Sequence, residues 1–212
     1  MSYFPIYIDL KDKKCIVVGG GRIALRKIEI LHQFGAKITA IAPYICDAIY
    51  MLETNPITLV KRDFHDSDIV DVELVVAATD DIKLNSHISV ICKKSNLLVN
   101  VVDVKDECTF IFPAIYKKRE LVISVSTGGS SPAMAHKIRK NIESVIPDYY
   151  SSLIEFLGEH RDYIKSEIHS QTQRKKLYNE LIEMIETDQK NMSLDMINKV
   201  IDKYKASQEG GC

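Results

Sequence analysis

The sequence predicts an α/β fold, a parallel sheet followed by a hairpin and a set of helices, and three observations carry that reading. Short, continuous apolar runs alternate with helix-period stretches up to about Val125. A turn of three glycines, Gly19-Gly20-Gly21, joins the first apolar run to the first helical stretch. Beyond Asp148 only helical patterns remain. Continuous apolar strands separated by helices are what a parallel sheet covered on both faces requires.

The elements follow in order. Strands are predicted at Lys14–Val18, Lys37–Ala42, Ile57–Lys61, Leu74–Ala78 and Leu97–Val102. The stretches "IALRKIEILHQFG", "YICDAIYMLET" and "IKLNSHISVICKKS" supply the helices between them, and Gly35 is placed to end the first as its C′ residue. The pattern then changes. "CTFIFPAIYKKRELVISVS" reads as two strands joined by a charged turn at Lys117–Glu120, a hairpin spanning Thr109–Ser126. In "STGGSSPAMAHKIRKNIESVIP" a Gly/Ser loop opens a helix, with Ser131 as N-cap and Pro132 at the first helical position. "YYSSLIEFLGEHRDYIKSEI" and "QRKKLYNELIEMIE" continue as helices, Ser193 caps a last one, and "SQEGGC" reads as a frayed tail. The expected division is residues 1–106 for the sheet domain, 107–147 for a dimerisation and substrate region, and 148–212 for a helical domain.

Composition removes several function classes. A formal net charge of −1 over 212 residues argues against a general nucleic-acid or membrane-surface binder. No apolar run approaches the roughly 20 residues that span a bilayer, and "MSYFPIYIDLKDKK" lacks the basic and apolar regions of a signal peptide. A cytoplasmic location is expected. Cys15, Cys46, Cys92, Cys108 and Cys212 are scattered without a C-x-x-C pair, and the histidines show no metal-ligand spacing, so no permanent metal is expected. Cys15 and Cys92 lie in apolar stretches and read as buried thiols.

Gly19, Gly21 and Ala24 fit G-x-G-x-x-A after an apolar strand, which makes the sheet Rossmann-like and its first turn a pyrophosphate site. The second strand should then end in an acid that holds the adenosine ribose. It ends instead in Ala42-Pro43-Tyr44.

Four stretches together resemble one family: "VVGGGRIALRKIEIL", "AATDDIKLN", "NVVDVKDECTFIFPAI" and "STGGSSPAMAHKIRKNIE". They are similar to the precorrin-2 dehydrogenase / sirohydrochlorin ferrochelatase family, from about Tyr3 to Pro147. The resemblance implies NAD-dependent oxidation of precorrin-2 to sirohydrochlorin, an activity that in some members extends to Fe2+ insertion. It implies a homodimer and, since the sequence stops where fused siroheme synthases continue, no methyl-transfer domain. The missing ribose acid becomes a family trait. By match, Arg22, Ile23, Pro43 and Tyr44 fall at NAD contacts beside Gly19, Gly20, Gly21, Ala24 and Thr79, and Asp103 falls at the catalytic aspartate.

The residues themselves agree with part of this. Asp103 follows a strand directly and so lies at the carboxyl end of a parallel sheet, where open α/β folds bind ligands. A carboxylate there can accept the proton released as a hydride leaves, or the pyrrole protons displaced by iron; the plain alternative is an Asp capping the next turn. Thr79, Asp80, Asp81 and Asn85 follow the fourth strand, where an Asp N-caps the helix or the turn walls the cofactor site. Thr127, Gly128, Gly129 and Ser130 form a small-residue loop at a helix N-terminus, an expected substrate contact. His136, Lys137, Arg139 and Lys140 on that helix are either a basic wall for a carboxylate-rich substrate or a solvated face. Arg26 and Lys27 read as exposed helix charges outside the site. Two other classes compete with the enzyme: a non-catalytic NAD(H)-sensing Rossmann protein, which would lack a DNA-binding helix-turn-helix here, and an interaction protein without chemistry.

Overall fold

The computed structural model describes residues 3–52, 57–188 and 192–209. Five strands form one parallel sheet: β1 (Lys14–Val18), β2 (Lys37–Ile41), β3 (Thr58–Val60), β4 (Leu74–Ala77) and β5 (Leu98–Val101), in the order β3-β2-β1-β4-β5. Helices α1 (Arg22–Gln33), α2 (Asp47–Tyr50) and α3 (Ile82–Lys94) lie between them in sequence. The strands keep the predicted positions to within a residue at each end. The second helix is the exception: a single turn replaces the longer stretch, whose final residues lie partly outside the described chain.

Strand alternation explains why both faces are apolar. Cys15 and Val17 point to one side, where Ala24, Ile28 and Leu31 of α1 and Ile49 of α2 cover them. Ile16 and Val18 point to the other, against Ile88 and Cys92 of α3. Each fully buried Ile or Leu contributes roughly 1.5–3 kcal/mol of transfer free energy. Burial also pushes the thiols of Cys15 and Cys92 up to about 11, with Glu73 adding to the effect at Cys15, so both stay protonated at neutral pH. Gly35 ends α1 with φ +74, the left-handed conformation a C′ glycine supplies.

The stretch after β5 stays with the sheet. Thr109 N–H donates to the Val99 carbonyl (2.8 Å), Val99 N–H donates to Thr109 Oγ1 (2.8 Å), and Asn100 Nδ2 donates to the Phe110 carbonyl (3.0 Å). Residues 108–110 thereby occupy the outer edge of β5, which blunts an otherwise open strand. The hairpin is accordingly shorter than its apolar alternation predicts: β6 (Ala114–Lys118) pairs antiparallel with β7 (Leu121–Val125) around Arg119-Glu120.

Five helices follow, α4 (Pro132–Val145), α5 (Tyr150–Glu159), α6 (Arg161–Glu167), α7 (Gln171–Asp188) and α8 (Leu194–Glu209). Ser131 Oγ accepts the Met134 N–H at 3.3 Å and Ser193 Oγ accepts the Met196 N–H at 3.4 Å, the two predicted N-caps. Ser207 to Glu209, expected to fray, continue the last helix; Gly210 to Cys212 lie outside the described residues. The chain divides into two compact units. Met1–Pro113 with Ser126–Ala135 forms one, Ala114–Val125 with His136–Cys212 the other. The second has its own core of Ile164, Ile168, Leu177, Leu181, Ile197, Val200 and Ile201. No helix among the described residues is long and apolar enough to cross a membrane.

Candidate functional site

The chain reverses direction across the sheet between β1 and β4, and a crevice opens at the carboxyl ends of the strands there. A cleft of about 900 Å³ occupies that place, within the first unit. Gly19, Gly20, Gly21, Arg22, Ile23, Pro43, Tyr44, Thr79 and Asp103 all line it. Ala24 does not; it is fully buried beneath the turn, where a small residue lets α1 approach the sheet.

The three glycines have different reasons to be glycine. Gly19 has φ +131, and a Cβ there would lie 2.3 Å from the Ala78 carbonyl oxygen. A Cβ on Gly20 would lie 1.9 Å from the Tyr44 carbonyl oxygen, because Cys46 N–H donates to the Gly20 carbonyl at 2.9 Å and locks the two loops together. Gly21 faces open space, and a Cβ there would meet nothing within 4 Å. Gly21 is also the N-cap of α1, contributes no side-chain cap, and leaves the first turn of a helix without acidic residues. Uncapped N–H groups beside an open glycine in a cleft are what a pyrophosphate occupies. The residues present therefore fit a dinucleotide.

Thr79 and Asn85 hold the opposite wall. Thr79 Oγ1 donates to Asn85 Oδ1 (2.7 Å) and Asn85 Nδ2 donates to the Thr79 carbonyl (2.9 Å). Asp81 Oδ1 accepts the N–H groups of Lys83 (2.9 Å) and Leu84 (3.1 Å), so Asp81 is the N-cap of α3 and Asp80 is left at the cleft.

Asp103 sits just past β5 with φ +62, a backbone region that non-glycine residues seldom occupy and that Asp and Asn tolerate better than most. Its carboxylate makes no hydrogen bond among the described residues, and the short helical turn after it, Lys105–Glu107, has Val104 as an N-cap without a side-chain bond. It caps nothing. The exposed carboxylate projects from a constrained backbone at the edge of the cleft.

Thr127 to Ser130 do not line the cleft. Thr127 Oγ1 accepts the Ser131 N–H (3.1 Å), and Gly128 and Gly129 have φ +62 and +82, which folds the loop back on itself. Gly129 lies against Lys105, whose Nζ would be 3.8 Å from a Cβ built there. On α4, Arg139 is paired with Glu143, while His136, Lys137 and Lys140 are exposed.

Sequence reasoning missed Asp63 and Phe64, which reach the cleft from the loop after β3, and it misplaced Lys27. Lys27 is not an exposed charge. It is half-buried, with Nζ 4.0 Å from the centre of the Phe112 ring, and burial draws its pKa below the ordinary lysine value while Cys108 and Asp103 oppose that shift. The alternation of "TFIFPA" marks Phe112 as apolar but not which helix it meets. Among the described residues no group of three or more His, Cys, Asp or Glu side chains could hold a metal ion.

Known proteins match two stretches of the chain. A family described as putative NAD(P)-binding matches residues 6–114, and one described as sirohaem biosynthesis protein central matches residues 120–144. A siroheme synthase from Pseudoalteromonas atlantica is 39% identical over 184 residues, covering 86% of this chain and 40% of that protein. One from Ruthia magnifica is 42% identical over 166 residues, covering 78% of this chain and 35% of that protein. The chain thus spans about two fifths of the length of these relatives. A solved structure named SirC, precorrin-2 dehydrogenase, superposes with a TM-score of 0.71 at 27% identity, covering 96% of this chain and all of that one.

Proposed function

Since the chain belongs to the NAD(P)-binding, SirC-like family that forms the N-terminal part of siroheme synthases, we propose that it is a cytoplasmic, NAD-dependent precorrin-2 dehydrogenase that yields sirohydrochlorin in siroheme biosynthesis. The observation that carries the reading is Asp103: a carboxylate without a partner among the described residues, in a left-handed backbone conformation, lining the same cleft as the uncapped Gly21 turn.

The backbone of Gly19 to Ile23 and the N-terminus of α1 bind the pyrophosphate, and Pro43 and Tyr44 flank the adenosine where no ribose acid stands. Thr79, fixed by Asn85, walls the nicotinamide side. Bound NAD+ supplies the hydride acceptor. As a C–H bond of the precorrin gives up its hydride, Asp103 takes the proton that completes the two-hydrogen oxidation. Thr127 to Ser130, outside the cleft lining but against Lys105, receive the part of the substrate that extends beyond the cleft. Iron insertion into the product would release pyrrole protons to the same carboxylate.

The experiment is anaerobic incubation with precorrin-2 and NAD+, followed by Fe2+, monitored by absorbance. Nicotinamide reduction with sirohydrochlorin formation is expected, and a further spectral change on adding Fe2+ reads the second activity. NAD+ binding without reduction would favour a sensor instead. The assembly proposed is a homodimer. Two-stranded ribbons are marginal alone, and β6–β7 has no third strand on either edge among the described residues. A monomeric mass by light scattering at micromolar concentration would refute it.

A further inference from the structure

Two cations stand at the Asp103 strand end without an anion of their own. Lys27 lies one helical turn beyond Ile23, so α1 presents both on the same side. Its ammonium rests on Phe112 and makes no ion pair among the described residues. Of the two acidic groups that act on it, the buried Cys108 thiol has its pKa raised and is uncharged at neutral pH, which leaves the Asp103 carboxylate. Lys105 follows Asp103 by two residues. Its chain passes against Gly129 of the small-residue loop, with Nζ 5.9 Å from the Tyr3 ring centre, and it too has no ion pair among the described residues.

We propose that Lys27 and Lys105 are the anchors for two carboxylates of the substrate, seating its ring against Asp103. The inference rests on the dehydrogenase reading, which makes the substrate a macrocycle with eight carboxylates. Such a polyanion is repelled by the exposed carboxylate that must act on it, and opposite charges at the strand end offset that repulsion. A half-buried ammonium without a counter-ion has already lost part of its hydration, so an incoming carboxylate meets less desolvation there than at a solvated lysine. Arg139 on α4 already has Glu143, and the other cations of that helix are exposed. Lys105 also joins the two motifs that the fold keeps apart in sequence, N-V-V-D and S-T-G-G, through its contact with Gly129.

The test uses the full chain with NAD+ bound, uroporphyrin as a stable octacarboxylate probe, and precorrin-2 as substrate. Lys27→Met and Lys105→Met keep side-chain length and remove the charge. Each is expected to weaken uroporphyrin binding and raise KM for precorrin-2 by about tenfold, the scale of one hydrogen bond to a charged group. Lys27→Arg and Lys105→Arg should recover most of the loss. NAD+ affinity should hold throughout, and the salt dependence of uroporphyrin binding should flatten in each Met variant. Wild-type affinity and KM in folded Met variants would overturn the proposal; should Lys27→Met fail to fold, Lys105→Met decides it alone. The two readings fail separately. Uroporphyrin binding that obeys these expectations without any oxidation of precorrin-2 would sink the dehydrogenase and leave the anchors. Oxidation with unchanged KM in the Met variants would sink the anchors and leave the dehydrogenase.

Discussion

Charged side chains are treated differently at two places in the molecule. In the helical unit several are paired across elements: Lys203 with Glu180 at 2.7 Å, Lys118 with Asp148 at 2.5 Å, Lys205 with Glu167, and Arg119 with Glu155. These contacts are largely exposed and each adds little stability. At the strand ends of the sheet unit, Arg22, Lys27, Asp80, Asp103 and Lys105 make no ion pair among the described residues. The glycines repeat the contrast within one turn, since Gly19 and Gly20 are demanded by neighbouring backbone and Gly21 by nothing within 4 Å among the described residues. Groups left without partners on an ordered backbone are the ones a ligand completes.

The sharpest way to break this contrast is at Asp103. Asp103→Asn keeps the shape and left-handed tolerance but cannot accept a proton. A loss of about 10²–10⁴-fold in NAD+ reduction by precorrin-2 is expected, the usual scale of a general base. NAD+ affinity and Tm should stay put, because the carboxylate makes no hydrogen bond or ion pair among the described residues. Normal turnover would return Asp103 to the status of a turn residue.

The converse substitution lies in the helical unit. Leu181 is fully buried in the core of α6, α7 and α8. Leu181→Ala should cost about 3–5 kcal/mol of that region's stability, read by thermal or urea unfolding. NAD+ affinity, measured below the transition, should not follow it, since every residue lining the cleft belongs to the first unit. A parallel loss of NAD+ binding would mean that the two regions do not divide structure from ligand as argued.

Gly21 separates the same two roles by a few atoms. Gly21→Asp meets no neighbour, so the variant should fold with wild-type Tm while NAD+ affinity falls about a hundredfold or more, as a carboxylate displaces the phosphate contacts. Gly20→Ala should do the opposite first, lowering Tm because its methyl would enter the Tyr44 carbonyl. A Gly21→Asp chain with undiminished affinity would remove the pyrophosphate from this turn.

Much of this was legible in the sequence because the sheet is buried on both faces. Continuous apolar runs such as Cys15–Val18 and Leu74–Ala77 have no other reading once helices flank them. Asp103 was legible by position, because strand ends are where such sheets bind. Its φ, and the fact that it caps nothing, were not. Lys27 was misread since helical spacing shows a face but not what covers it, and Phe112 lies 85 positions away in sequence. The docking of Thr109 onto β5 was hidden likewise. Its alternating neighbours look like a strand, and only the outer edge of the sheet decides where the hairpin begins.

The smallest effect expected comes from a charge pair of the sheet unit that does have its partner. Arg62 donates to both carboxylate oxygens of Asp68, at 2.8 and 2.6 Å, and the His65 N–H adds a third bond at 2.8 Å. The Arg62 bond holds the Asp68 carboxyl below its ordinary value, partial burial opposes this, and the His65 N–H assists. A carboxyl whose pKa is depressed by folding contributes stability that is complete above the unfolded value, about 4, and is lost as pH falls through the folded one. Asp68→Asn should therefore lower Tm at pH 7 by roughly 1–2 °C, the scale of a pair that water largely screens. The gap from wild type should close as pH drops below 4, since the wild-type carboxyl then protonates as well. NAD+ binding should be indifferent, although Asp63 and Phe64 beside the pair line the cleft. A Tm gap that persists undiminished at low pH would show that the substitution acts through shape and not charge. A loss of NAD+ affinity would show that this paired arginine positions the cleft wall, and the line drawn here between partnered and unpartnered charges would have to move.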